Sequence, residues 1–269
     1  MRKTRRYLLV TLLIAAVGVA SWLFLSQPSE PVYQSKPLSY WCAQDYSANV
    51  SSDSNIELKK QAEIAIRTIG TNAVPTLLRM LRAKDSKFKL NLIQLASKQH
   101  LVKTNWKTAA ARHMEAAIGF YRLGPLGKSA LPDLIEIYKG HRSDLGCEPM
   151  SVAHIIGYIG PGAADAVPLL VQGATDTYFA NRWDAVIALG RIHARPDLAT
   201  PALAVCLRDP DERIRGSAAT SLGSLGTGAQ SAVPELTKLL GDPVPFVKDD
   251  AASALKEIDP EAAAKAGVK

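Results

Sequence analysis

The chain carries Ala-Val-Pro-Leu-Leu at residues 166–170, and related pentapeptides follow as Ala-Thr-Pro-Ala-Leu at 199–203 and Ala-Val-Pro-Glu-Leu at 232–236. The prolines at 168, 201 and 234 are separated by 33 residues each. A fixed period of this length is typical of stacked supersecondary units. The sequence therefore predicts a repeat architecture, in which each unit buries its apolar face against its neighbours.

Apolar side chains follow the same period and predict helices. Two sets of aliphatic residues recur every 33 positions: Ile156, Leu189, Leu222 and Leu255, and Ile159, Ile192, Leu225 and Ile258. Their spacing within each unit is that of one helix face. We expect two helices per unit, the first beginning near the proline. The second follows an aspartate and is expected to close at a left-handed glycine, namely Gly157, Gly190 or Gly223.

Two earlier units are less regular. Pro132 lies 36 residues before Pro168, and Pro75 lies 57 residues before Pro132. The longer gap predicts an additional helix at about Ser86–Lys98, before Lys107–Leu123 resumes the pattern. No stretch alternates like a strand, so we predict an all-α solenoid of about five helical hairpins over residues 56–269.

Residues 209–219, Asp-Pro-Asp-Glu-Arg-Ile-Arg-Gly-Ser-Ala-Ala, resemble the start of the second helix of a HEAT repeat, including the shorter variety named after phycobilisome (PBS) lyases. Asp242–Ala252 repeats the pattern, and the resemblance covers about Glu57–Ile258. With its Lys36–Trp41 entry and Asp259–Glu261 ending, the chain is similar to HEAT-repeat proteins of bacteria of the verrucomicrobial type. This resemblance implies an α-solenoid and carries no defined activity.

The amino terminus predicts a membrane anchor. Residues 1–7 contain four basic residues and no acid, and the 18 residues at 8–25 are uncharged and mainly apolar. A helix of roughly 17–25 such residues crosses a bilayer, and the basic flank keeps its own end in the cytoplasm. We therefore predict a single-pass signal anchor in the bacterial cytoplasmic membrane, with the solenoid periplasmic or otherwise extracytoplasmic.

Two alternatives for this segment stay open. A signal peptide cleaved after Gly18-Val19-Ala20 would release the chain, but the apolar run continues past that point and favours an anchor. Thr4–Leu9 also resembles a twin-arginine export signal, against ordinary basic flanking. Residues 26–55 are expected to form a linker and an N-terminal cap, with a short helix at Ser39–Tyr46 that uses Trp41.

Basic residues are concentrated in the first repeats. Residues 56–107 hold eleven Lys and Arg against three acids, whereas the whole chain has a net charge of +7. Lys84, Lys87 and Lys89 cluster in Lys84–Trp106, a stretch that departs from the HEAT pattern. They predict contact with an anionic surface, the alternative being a solvated basic face. Nucleic acid is a poor partner for an exported chain that lacks repeated aromatic platforms.

The three cysteines allow one disulfide outside the cytoplasm. Cys206 lies on the apolar face of a repeat helix and is predicted to be a core residue. Cys42 and Cys147 are then the possible pair.

The sequence offers no catalytic motif. None of the five histidines precedes a glutamate, so the His-Glu pairs of HEAT-repeat di-iron hydroxylases are missing. Gly127-Lys128-Ser129 imitates the end of a P-loop, but Arg122 replaces its required glycine. We predict no catalytic residue, cofactor or metal. Resemblance to the bilin lyases implies chromophore attachment as an alternative, as a ligand-binding or enzymatic HEAT protein, with no site singled out.

The interpretation that best fits these features is a membrane-anchored scaffold for protein–protein interaction. The second helices are expected to form an extended concave surface. The predicted partner contacts on it are Tyr178, Asn181, Arg182, Arg213, Phe246 and Lys248. A competing interpretation makes Arg182, Arg215 and Lys248, together with Asp176, Asp209 and Asp242, a structural ladder between repeats.

Overall fold

The computed structural model describes residues 29–47, 53–98, 106–140, 151–176 and 182–268. The predicted anchor at 8–25 lies outside the described residues, as do the predicted contacts Tyr178 and Asn181 and the cysteine Cys147. These predictions therefore stay untested.

Fourteen α-helices and one small hairpin make up the described part of the chain. The hairpin pairs β1 (Val32–Tyr33) with β2 (Lys36–Pro37). The helices before residue 145 are α1 (Leu38–Ser47), α2 (Asp53–Ile69), α3 (Val74–Leu81), α4 (Lys87–Lys98), α5 (Ala109–Leu123) and α6 (Leu131–Gly140). Those after it are α7 (Val152–Ile159), α8 (Val167–Thr175), α9 (Arg182–Ile192), α10 (Pro196–Cys206), α11 (Glu212–Ser224), α12 (Val233–Leu239), α13 (Pro245–Ile258) and α14 (Pro260–Lys265).

The helices pair into the predicted repeats. The first helices are α3, α6, α8, α10 and α12, and the second helices are α5, α7, α9, α11 and α13. Second helices of successive repeats pack against each other more extensively than first helices do. The extra helix expected at Ser86–Lys98 is confirmed as α4, inserted into the first repeat. The all-α solenoid is thus confirmed, apart from a hairpin whose strands are too short to show alternation.

Prolines begin most first helices as predicted, with one exception. Pro75, Pro168 and Pro234 lie in the first turn of α3, α8 and α12, where the missing N–H has no helical partner to lose. Pro201 instead lies inside α10, which begins at Pro196. The prediction of a helix start at Pro201 is wrong because a second proline, Pro196, starts the helix five residues earlier.

The predicted role of Gly157, Gly190 and Gly223 is also wrong. These glycines lie within α7, α9 and α11 and do not end them. The left-handed residues that follow these three helices come three positions later, at Gly160, His193 and Gly226, with φ of 69°, 50° and 55°. The sequence pattern alone does not distinguish the glycines inside the helices from the left-handed residues that follow them, because both recur with the 33-residue period.

The interior glycines permit close contact between neighbouring second helices. A Cβ on Gly157 would lie 3.1 Å from Cα of Ala188, and one on Gly223 would lie 3.0 Å from Cα of Ala254. On Gly190 it would lie 2.8 Å from Cα of Ser221. A Cβ on Gly190 would overlap the next helix, and at Gly157 and Gly223 it would make unusually tight contact. These glycines therefore serve close packing and not a left-handed backbone conformation.

The N-terminal cap is built around Trp41 on α1, as predicted. Trp41 is 5% exposed, and its indole N–H donates to the Tyr33 carbonyl at 3.2 Å. Arg122 on α5 ties the cap to the first repeat through Asp45 at 2.6 Å and Glu63 at 2.8 Å. Hydrogen bonding to Asp45 raises the pKa of Arg122, so the guanidinium stays charged.

Among the described residues, one helical stretch has the length and hydropathy of a membrane span. It is Val152–Thr175, half of which is buried inside the fold. This stretch comprises α7, the turn at Gly160 and Pro161, and α8. Burial against neighbouring repeats accounts for its apolar composition, because repeat helices lose most of their solvent-facing surface.

Gly190→Ala is expected to lower the free energy of unfolding by about 1–3 kcal/mol, because the new methyl group overlaps the α11 backbone at Ser221. Urea unfolding of the full chain in detergent, followed by circular dichroism, measures this change. Gly140→Ala is the matched control, since a Cβ there meets nothing within 4 Å among the described residues. Equal stability of the two variants would contradict the close-packing role.

Candidate functional site

Two arginine–aspartate pairs join successive repeats. Arg182 on α9 lies 2.7 Å from Asp209, and Nε of Arg215 on α11 lies 2.7 Å from Asp242, with a second contact at 3.0 Å. The arginine side chains are 13% exposed and the aspartates 7% or less. We call these four residues the Arg–Asp ladder. The interpretation of this series as a structural ladder is confirmed for both pairs.

Ion pairing in the ladder also shifts the pKa values of Asp242 and Arg215. The Arg215 guanidinium, hydrogen-bonded to Asp242, holds the pKa of that carboxyl below its ordinary value of 3.8. The same bond raises the pKa of Arg215. Both groups are therefore charged at neutral pH, and the pair stabilises the junction between the last two repeats.

A groove runs across the outward faces of α9, α11 and α13. Its cavity of about 480 Å³ is within the usual range for binding pockets. We call it the second-helix groove, lined by Trp183, Ile187, Gly190, Arg191, His193, Arg213, Ser217, Thr220, Ser221, Ser224, Phe246 and Asp250. Because these residues come from three consecutive repeats, stacking creates the groove.

Two aromatic side chains mark the ends of the groove. Trp183 on α9 is 44% exposed and donates its indole N–H to Ser217 at 2.8 Å. Phe246 on α13 is 46% exposed. Gly216 of α11 lets the Phe246 ring approach, since a Cβ there would lie 2.9 Å from the ring. The groove thus has aromatic ends and a floor of small hydroxylated residues.

An aromatic stripe extends the groove toward the earlier repeats. Tyr158 on α7 contacts Tyr121 on α5 edge-on, with ring centroids 4.8 Å apart. The Arg191 guanidinium stacks 4.6 Å from the Tyr158 ring, a cation–π contact. His154 lies 2.9 Å from Asp184 and 5.6 Å from the Trp183 ring. Continuous aromatic surface therefore lines the second helices from α5 to α9.

One carboxyl in the groove is electrostatically unusual. Burial raises the pKa of Asp250, and the neighbouring charge of Asp249 raises it further. Asp250 lies beside Gly216, where a Cβ would be 2.6 Å from its carboxyl oxygen. A carboxyl in this setting favours a hydrogen-bond donor or a cation as its partner.

Of the four predicted contact residues that the structure describes, two line the groove and two lie elsewhere. Arg213 and Phe246 line the groove, and their predicted contact with a partner stays a prediction. Arg182 belongs to the ladder, and Lys248 is exposed but does not line the groove. Sequence reasoning missed Trp183, Ile187 and Asp250. A signal was available, because Asp184, Ser217 and Asp250 share one position of the 33-residue period, which is a polar position next to Trp183 in the sequence.

The three lysines predicted to contact an anionic surface differ in their exposure. Lys84 and Lys87 are exposed, whereas Lys89 pairs with Asp85 at 2.5 Å.

Cys206 is confirmed as a core residue: it is 3% exposed, and burial raises the pKa of its thiol to about 11. The Cys42 thiol is fully buried as a free thiol. Its proposed pairing with Cys147 stays a prediction.

The described residues contain no group of three or more His, Cys, Asp or Glu placed to hold a metal ion. Gly127-Lys128-Ser129 lies in a 3-10 segment, Gly124–Ala130, that joins two helices. A P-loop requires a strand followed by a helix. This tract therefore lacks the strand-to-helix setting of a P-loop.

Asp242→Asn is expected to lower the free energy of unfolding by about 3 kcal/mol at pH 7, since a buried guanidinium loses its counter-charge. The difference from wild type should shrink as the pH falls below 3.8 and through the lowered pKa, where Asp242 itself becomes protonated. Urea unfolding between pH 7 and pH 2 checks both statements. Asp197→Asn, in an exposed pair with Arg195, is the control and should change nothing measurable.

Comparison with known proteins supports the repeat assignment. A family model described as HEAT repeats matches residues 150–223 and 199–266. Among solved structures, the chain is similar to an engineered protein determined by crystallography, at 20% sequence identity and a TM-score of 0.40; the likeness covers 85% of this chain and 97% of that one. No curated protein matches the chain. The region that matches the HEAT-repeat model, residues 150–266, holds the ladder and the second-helix groove.

Proposed function

We propose that this chain is a membrane-anchored scaffold that binds a protein partner in the second-helix groove, outside the cytoplasmic membrane. HEAT repeats generally mediate protein–protein interaction, and the matched repeats contain this groove. The observation that carries the proposal is the pair of half-exposed aromatic rings, Trp183 and Phe246, that face one cavity across three repeats.

The chemistry of the groove specifies the kind of segment it accepts. Trp183, Ile187 and Phe246 provide apolar surface for one or two aliphatic or aromatic anchors. Trp, Tyr and Arg are the residue types that dominate binding energy at protein interfaces. The Ser217 oxygen accepts from Trp183 at 2.8 Å, which leaves its O–H to donate to a peptide carbonyl, whereas Thr220 is bonded to Gly216 and Asp250. The occupant is therefore a partner peptide with an apolar anchor and flanking polar groups.

The charges around the groove refine this description. Arg191, Arg213 and Asp250 all line the groove, and both Asp250 and the Phe246 ring lie close to Gly216. Arg213 is already paired with Asp211 at 2.8 Å and is 76% exposed, so it can exchange that partner for an acid on the ligand. A partner segment that carries an acidic residue for Arg213 and a hydrogen-bond donor for Asp250 fits this arrangement.

The proposed compartment of the groove rests on the predicted membrane anchor. The support is the uncharged run at 8–25 behind a basic flank, which fits a single-pass helix with its amino end in the cytoplasm. A periplasmic reporter fused after Lys269 should be active, and a cytoplasmic reporter at the same point should be silent. The reverse result would overturn the proposed topology.

The double substitution Trp183→Ala and Phe246→Ala is expected to reduce capture of the partner at least tenfold, because both aromatic ends of the groove are removed. The measurement is affinity capture of the tagged chain from cross-linked native membranes, with quantitative mass spectrometry. Helical content should stay unchanged, since both side chains are half-exposed.

Val205→Ala is the matched control. Val205 is 64% exposed on the first helix α10, so its loss removes apolar surface away from the groove. Arg182 is not used for this test, because its removal would also break the ladder. A discrete partner retained equally by the double variant and the control would refute the groove as the binding site.

A further inference from the structure

Helix α4 (Lys87–Lys98), which interrupts the first repeat, has no extensive packing partner among the described residues. Every other helix that the structure describes packs closely against at least one neighbouring element. The first turn of α4 is nevertheless held in place, because the Asp85 carboxylate accepts from the Lys89 ammonium at 2.5 Å and from the backbone N–H of Ala109 at 2.7 Å. The solenoid therefore fixes the start of α4 without covering the helix.

Apolar side chains of this segment are turned to solvent. Residues 87–98 contain five large apolar residues, three lysines and no acid. Phe88, Leu92 and Leu95 recur at the spacing of one helix face. Phe88 is 72% exposed, Leu90 is 44% exposed, and the nearby Trp106 is 53% exposed. Exposed apolar residues that cluster in this way mark an interaction site.

The cations beside these apolar residues are available to an anionic partner. Lys84 and Lys87 are exposed, and neither is in an ion pair with another described residue. The acid between them, Asp85, is already bonded to Lys89. Lysine combined with Phe, Leu and Trp is the composition of helices that lie in the interface of a membrane. The partner that fits this surface is therefore apolar and negatively charged at once.

The predicted anchor brings this segment close to a bilayer. Glu30 of the N-terminal cap comes five residues after the end of the span at 8–25, which is at most about 18 Å of extended chain. Glu30, Lys89 and Trp106 line one cavity of about 750 Å³, so the start of α4 lies near Glu30. A chain that crosses the bilayer at 8–25 therefore holds α4 within reach of the surface of that bilayer.

We propose that α4 and Trp106 lie in the headgroup region of an anionic bilayer. We call this contact the α4 surface, formed by Lys84, Lys87, Phe88, Leu90 and Trp106. The apolar side chains enter the boundary between headgroups and acyl chains, where Trp is favoured, and the two lysines bind lipid phosphates. The inference rests on the proposed membrane anchor for its geometry. Contact at the first repeat leaves the second-helix groove, which begins two repeats later, open to its partner.

Photolabelling of the full chain from within the bilayer tests the proposal. The chain is reconstituted into vesicles of equal parts phosphatidylcholine and phosphatidylglycerol, with a trace of phosphatidylcholine that carries a diazirine in its acyl chain. After irradiation, mass spectrometry of the peptides should find label on α4 and Trp106 as well as at 8–25. In vesicles of phosphatidylcholine alone, labelling of α4 should fall at least about threefold, because the lysines lose their anionic partner.

Matched substitutions separate insertion from chance contact with lipid. Phe88→Asp should reduce labelling of α4 at least about fivefold, because a carboxylate is costly among acyl chains and is repelled by anionic headgroups. Val205→Asp places the same charge at an exposed apolar position of α10 and should leave labelling of α4 unchanged. Both positions are exposed, so circular dichroism should show unchanged helical content. Equal loss of label in the two variants would overturn the α4 surface.

The pattern of label also distinguishes this inference from the anchor itself. Label at 8–25 without label on α4 would overturn the inference and leave the anchor in place. Label on α4 without label at 8–25 would support the α4 surface and overturn the anchor, and label at neither segment would overturn both. Equal labelling of α4 in the two kinds of vesicle would overturn an anionic bilayer as its partner.

Discussion

The close approach of successive second helices is the constraint on which the rest of this structure depends. It is set at Gly157, Gly190 and Gly223, where the next helix leaves little or no room for a Cβ. The smallest side chains at a helix crossing determine how near the two axes can lie. Because first helices lack this contact, the second helices form the more tightly packed row. That row carries the aromatic and polar residues of the groove.

The Arg–Asp ladder builds on this spacing. Asp209 accepts the N–H of Asp211 at 2.9 Å, and Asp242 accepts the N–H of Val244 at 2.9 Å. Each aspartate therefore orders the turn before its own second helix while it receives the arginine of the preceding repeat. Burying an ion pair is costly unless its remaining lone pairs are satisfied. These added backbone bonds satisfy them, which explains how charged residues stabilise a nearly buried junction.

The repeating parts of this fold could be predicted from the sequence, because residues buried in every repeat recur at a fixed spacing. The helix pairs and the buried Cys206 follow from this spacing, and the extra helix α4 follows from the long gap between Pro75 and Pro132. The prediction that the helix glycines end their helices was wrong because glycine has two roles in this fold. Gly190 allows a neighbouring helix to approach, whereas Gly160 adopts a positive φ after the end of a helix. Only three-dimensional contact distinguishes these two roles.

The candidate sites were less predictable, since the residues that form them do not repeat. Arg213 and Phe246 were predicted from their places on second helices, but Trp183, Ile187 and Asp250 were missed. Trp183 shares its position in the period with Gly216 and Asp249. If these outer positions served only the stacking of repeats, the same residue could occupy the position in every repeat.

This departure from periodicity makes the two sides of the groove chemically different. One position of three successive repeats holds Trp183, Gly216 and Asp249, and of these only Trp183 lines the groove. The next position holds Asp184, Ser217 and Asp250, of which Ser217 and Asp250 line it. Stacking energy does not require these differences, because the core residues on the opposite helix face already repeat faithfully. The regular core thus sets the spacing of the helices, whereas the outer positions place an indole on the α9 side of the groove and a carboxyl on the α13 side.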